Sequence, residues 1–110
     1  MKAIELRVCK APNGKAPFAA WFNKLERTTR FKVSAALFQI EEGNFSDSKF
    51  MGQGVWERRI HSGPGYRIYF SREKDRAVIL LGGGSKKGQE LQIQRAQTLL
   101  DYYRKSKTER

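Results

Sequence analysis

The stretch that most narrows what this chain can fold into is Val55–Phe70, VWERRIHSGPGYRIYF. Its two halves alternate with period two and are joined by a Gly-Pro-Gly loop, the pattern of two paired strands. Successive strand side chains point to opposite faces, so a one-residue slip would exchange core and surface throughout the hairpin. Pairing Ile60 with Ile68 places Trp56, Ile60, Tyr66, Ile68 and Phe70 on one face. Glu57, Arg59, His61, Arg67 and Tyr69 then share the other. The opposite parity mixes charge into the apolar set on both sides, so burial selects the first. That choice predicts a basic surface flanked by aromatic rings.

The rest of the chain arranges itself around this hairpin. Residues 3–9 alternate as a strand with Ile4, Leu6 and Val8 on one face, and Pro12-Asn13-Gly14 makes a turn. From Ala16 the period changes, with Phe18, Trp21, Phe22 and Leu25 spaced as one buried helical stripe. Pro17 suits that helix's first turn, where its missing N–H costs nothing. Thr28 or Thr29 can cap a second helix with the stripe Val33, Ala36, Leu37 and Ile40, flanked by Phe31 and Phe38 and stopped by Gly43. Residues 44–54 read as a loop with a short strand near Lys49–Met51.

After the hairpin and a charged turn at 72–76 comes the uninterrupted apolar run Ala77–Leu81, a strand covered on both faces. Gly82-Gly83-Gly84 is expected to end it, leaving the sheet at unusual dihedrals. Ile93, Ala96, Leu100 and Tyr103 mark a terminal helix, while residues 104–110 lack an apolar period and are expected to fray. The expected fold is α+β, one compact domain over residues 1–110. Its order is β-α-α-β-meander-α, with an antiparallel sheet mixed at the first strand.

Charge points to the partner. Lys and Arg number 22 against 11 acidic residues, a net charge of +11, which is the footprint of a polyanion binder. Cys9 is the one cysteine, so no intramolecular disulfide or cysteine-based zinc site can form, and it reads as a small buried hydrophobe. No apolar run approaches a membrane span, and MKAIELRV lacks a signal peptide's apolar core; a cytoplasmic protein is expected.

GGGSKKG is superficially like a phosphate-binding loop but lacks the G-x-x-x-x-G-K-[ST] spacing and follows a meander. His61 is the only histidine, so neither a two-histidine ribonuclease site nor a His-rich metal site is available within one chain. No cofactor and no metal is expected.

Cations alone can still promote RNA cleavage. The 2′-hydroxyl is an internal nucleophile, and its in-line attack on phosphorus builds negative charge that preorganised Arg and Lys stabilise. Single-stranded RNA also needs aromatic or guanidinium planes for its bases, and Tyr66, Tyr69, Trp56 and Arg59 offer these.

The sequence resembles the RelE/ParE superfamily of toxins from bacterial toxin–antitoxin modules, and within it the addiction-module killer proteins. The resemblance is carried by Phe18, Trp21 and Leu25, then by Gly43-Asn44 with Asp47 and Lys49. It continues through Gly52, Gly54-Val55, Glu57, Arg59-Ile60 and the string Gly63-Pro64-Gly65-Tyr66-Arg67-Ile68-Tyr69-Phe70. Leu80-Leu81, Gly83-Gly84, Lys86, Gln89, Ile93 and Ala96 complete it.

The resemblance implies a toxin held inactive by a cognate antitoxin, a small DNA-binding protein encoded alongside. RelE-type relatives cut messenger RNA on the ribosome without a metal. Arg67 matches a catalytic arginine of those relatives, Arg59 a catalytic basic position, and Lys86 falls near a later basic residue. On this likeness Arg59, Arg67 and Lys86 are the expected catalytic residues. Glu57, His61 and Tyr69 are secondary ones, and Lys49, Tyr66 and Lys87 are expected to bind RNA. A late tyrosine of some relatives falls near Gln92 here, Arg58 stands where a leucine is usual, and Ser85 replaces an aspartate. ParE-type relatives inhibit DNA gyrase without this catalytic set, and a non-toxic basic nucleic-acid-binding domain is the further alternative.

Overall fold

The computed structural model describes residues 3–108. In chain order the elements are β1 (Glu5–Val8), α1 (Pro17–Asn23), α2 (Arg27–Glu41), β2 (Ser48–Gly52), β3 (Val55–Ile60), β4 (Tyr66–Glu73), β5 (Ala77–Ser85) and α3 (Gln89–Thr108). The sheet runs β1-β5-β4-β3-β2, with β1 parallel to β5 and every other neighbouring pair antiparallel. A radius of gyration of 13.2 Å is that of one compact body of this length, for which roughly 13 Å is usual. The α+β class and the sheet mixed at its first strand agree with the sequence reading.

The sheet is covered on both faces, which explains the unbroken apolar run at 77–81. Val78 and Leu80 join Phe18, Val33, Ile40, Ile60, Ile68 and Phe70 in the core under α1 and α2. Ile79 and Leu81 point the other way, into a second core with Val55, Tyr69, Ala96, Leu99, Leu100 and Cys9 under α3. Cys9 is buried, and loss of water there raises its thiol pKa.

Several expectations need correction. In the hairpin Ile60 faces Tyr66, Arg59 faces Arg67 and Glu57 faces Tyr69, so the register is two residues from an Ile60–Ile68 pairing. The parity survives, and with it both faces. Turn closure sets the register: the Ser62 N–H donates to the Ile60 carbonyl at 3.1 Å and the Gly65 N–H to the Ser62 carbonyl at 2.8 Å. Gly65 sits at φ 88°, a backbone state open to glycine. The charged face is not a surface either. The α3 helix packs over it, and Glu57, Arg67 and Tyr69 are buried, while Arg59 and His61 remain exposed.

The three glycines do not end β5, which continues through them to Ser85, and none of them has a positive φ. A Cβ on Gly83 would strike the Trp21 ring, and one on Gly84 would strike the Gln92 amide. They are therefore places where α1 and α3 approach the strand closely. The α2 helix starts at Arg27 with Glu26 at its N-cap and no side-chain cap; Thr29 is buried instead, so neither threonine caps it. The α3 helix also runs past the expected frayed start at 104. Tyr103 Oη and Lys107 Nζ donate to Glu73 Oε2 at 3.2 and 2.9 Å, tying its last turns to β4. Residues 109–110 of that expected tail lie outside the described residues.

Candidate active site

The cations gather at the loop end of the β3–β4 hairpin because three adjacent strands bring them there. Arg59 on β3 lies opposite Arg67 on β4, and Arg67 lies opposite Gly84 on β5. Just beyond β5 the Lys86 N–H donates to the Gly65 carbonyl at 3.0 Å, tying the lysine's backbone to the hairpin loop. The result is an open cleft of about 410 Å³, lined by Arg59, His61, Tyr66, Arg67, Lys86 and the loop residues between His61 and Tyr66. Arg59, Arg67 and Lys86 thus share one site with His61 and Tyr66. Lys49 lies on the edge strand β2 opposite Glu57 and Lys87 is exposed past β5; neither lines the cleft.

Glu57 and Tyr69 stand behind the cleft. The Glu57 carboxylate has no exposed surface. Its Oε1 accepts from Arg67 Nη1 at 3.1 Å and lies 3.6 Å from Arg59 Nε; its Oε2 accepts from Gln89 Nε2 at 2.7 Å. One buried carboxylate therefore serves two arginines and fixes the Arg67 guanidinium. Enclosed this way, it cannot meet a substrate. The Tyr69 hydroxyl donates to Gln92 Oε1 at 2.8 Å. Burial pushes its pKa well above the ordinary phenol value, the charge of Glu57 adds to the rise and that of Arg67 opposes it. Tyr69 is a protonated donor inside the structure, not a surface on which a base can stack.

Gln89 and Gln92 were not among the site residues expected from sequence. Gln92 Nε2 donates to the Ser85 and Lys87 carbonyls at 3.1 and 3.0 Å, so one amide grips the chain on both sides of Lys86. The available signal was two amides at i and i+3 opening a helix, a spacing that turns both to one face.

Arg58 lies on the α2 side of the sheet and is nearly buried. Its Nη2 donates to Gln39 Oε1 at 2.6 Å and its Nε to the Arg59 carbonyl at 3.2 Å. Burial lowers its pKa, against the charge of Asp47. Among the described residues no group of three or more His, Cys, Asp or Glu side chains could hold a metal ion, and no helix is long and apolar enough to cross a membrane.

A small mixed sheet with arginine and lysine collected at one hairpin end defines a basic α+β domain. Residues 20–103, which include the whole cleft, match the family described as Phage derived protein Gp49-like. The chain belongs to that family, which is the family of RelE-like addiction-module killer toxins. It is also similar to an uncharacterized protein of Haemophilus influenzae, at 37% identity over 83 residues, covering 74% of this chain and 84% of that protein.

Proposed function

We propose that this protein is the toxin of a toxin–antitoxin module and acts as a metal-independent endonuclease on messenger RNA held by the ribosome. The observation that carries this reading is the meeting of Arg59, Arg67 and Lys86 around one cleft, with Arg67 fixed by a buried carboxylate.

An RNA strand in the cleft presents its phosphate to these cations. The 2′-oxygen attacks phosphorus, the bond to the 5′-oxygen breaks and that oxygen takes a proton from water in the open cleft, which leaves a 2′,3′-cyclic phosphate and a 5′-hydroxyl. Arg67 and Lys86 stabilise the charge gathering on the non-bridging oxygens, and Arg59, exposed at the cleft's edge, positions the phosphate. His61 lines the cleft and is exposed, so it takes the 2′-hydroxyl proton; the burial of Glu57 rules that carboxylate out as a base in direct contact. The half-buried Tyr66 ring offers a stacking plane, and Lys49 and Lys87 contact flanking phosphates.

The antitoxin, encoded alongside, docks through an acidic or amphipathic segment in the cytoplasm, and its binding weakens as salt screens the charge. Expression without that neighbour tests the reading. Cleaved messenger RNA and arrested translation are expected. Intact message with DNA damage would point to gyrase inhibition, and normal growth to a non-toxic nucleic-acid-binding domain; either result overturns the proposal.

A further inference from the structure

A second groove, about 240 Å³ in volume, opens beside the cleft between α2 and the end of β3. Arg59, Ile60 and His61 line both, so the two are contiguous. The groove sets three unusual features together. Phe31, 74% exposed on α2, leaves an aromatic ring in water. Arg58 is only 7% exposed, and its Nη1 is buried with no hydrogen-bond acceptor among the described residues. Lys32 and Arg59 add positive charge to the lining. A buried donor without an acceptor is costly, and a guanidinium that turns outward to meet a ligand's acceptor is relieved of that cost.

We propose, on the reading that the cleft binds RNA, that this groove is a nucleotide subsite for the residue neighbouring the cut linkage. Its base stacks on Phe31, the acceptor edge of that base turns to Arg58, and Lys32 and Arg59 hold the adjoining phosphate. Asp47, the carboxylate in the lining, accepts from a base amino group. A nucleotide has a planar apolar face, a hydrogen-bonding edge and an anionic link in one unit, matching the ring, the guanidinium and the cations together. An acidic peptide would match the charge, but contiguity with the cleft favours a strand that occupies both.

The test is cleavage of ribosome-bound messenger RNA, with the concentration of that complex varied. Phe31→Ala removes an exposed ring and leaves the fold intact. It is expected to raise the concentration needed for half-maximal rate about tenfold, the effect of losing one stacked base. Phe31→Trp is expected to restore binding. Phe38→Ala, which alters another exposed ring outside the groove lining, is expected to change nothing. Unchanged cutting by Phe31→Ala overturns the subsite while leaving the endonuclease reading in place. Equal losses in Phe31→Ala and Phe38→Ala overturn it in favour of a general apolar face. Normal cutting by Phe31→Ala with loss of antitoxin binding overturns it in favour of protein docking. If the wild-type protein cuts nothing, the endonuclease reading fails and the subsite fails with it.

Discussion

Replacing Glu57 with leucine isolates the buried charge network on which the cleft rests. Glu57 has no exposed side-chain surface and Arg67 has 10%, with 3.1 Å between them. Leucine at 57 leaves the guanidinium in place without its carboxylate, and breaking a buried pair from one side costs about 3–5 kcal/mol. A domain of this size has about 5–15 kcal/mol of total stability, so a large share is lost. At roughly 4 °C for each kcal/mol, the midpoint should fall by about 12–20 °C. Urea unfolding is the direct assay, with a lower midpoint and an unchanged slope as the expected outcome. The double variant Glu57→Leu with Arg67→Met removes both charges and should recover most of the loss. A single variant within about 1 kcal/mol of wild type, or a double variant no more stable than the single, would refute the reasoning, since one rejects the cost of the stranded cation and the other its cause.

Other outcomes follow from the packing and the shifted groups. Gly83→Ala drives a methyl group into the Trp21 ring and should destabilise the fold by about 1–3 kcal/mol in the same assay, whereas Gly82→Ala meets nothing nearby and should not. The Tyr69 pKa is raised in the folded state, so its share of stability is present below the ordinary value of 10 and lost as pH climbs beyond it. Tyr69→Phe should therefore leave the tyrosinate absorbance that develops before alkaline unfolding unchanged; a reduced amplitude would show that Tyr69 ionises in the folded protein. Glu73 has the opposite sign. Hydrogen bonding from Lys107 is the largest cause lowering its pKa, so its contribution is present above the ordinary value of 4.5 and lost as pH falls through the lower folded value. Lys107→Ala should flatten the acid limb of the stability profile, and an unchanged limb would count against the contact.

The parts of the fold visible in the sequence were those decided by periodicity. The stripe at Phe18, Trp21, Phe22 and Leu25 and the run at 77–81 could satisfy a buried helix face and a doubly covered strand, and little else. Hairpin parity was legible for the same reason. Its register was not, because that depends on hydrogen bonds closing the turn at Ser62 and Gly65. The covered charged face was harder. Glu57 and Arg67 read as surface residues one at a time, and they can be buried because each supplies the other's partner. Gly83 and Gly84 looked like a stop because sequence shows a missing side chain, not the indole and amide that occupy its place. Gln92 stood out only as the place of a missing tyrosine, because its grip on the Ser85 and Lys87 carbonyls and its bond from the Tyr69 hydroxyl depend on how α3 lies over the sheet.

The central claim is that the cations around the cleft stabilise charge during RNA cleavage. Lys86 is the place to test it, being exposed and at the cleft's edge, where its loss leaves the buried network untouched. Single-turnover cleavage of ribosome-bound messenger RNA by Lys86→Ala should be slower by about 10²–10³-fold with the thermal midpoint unchanged. Cleavage at the wild-type rate would contradict the claim.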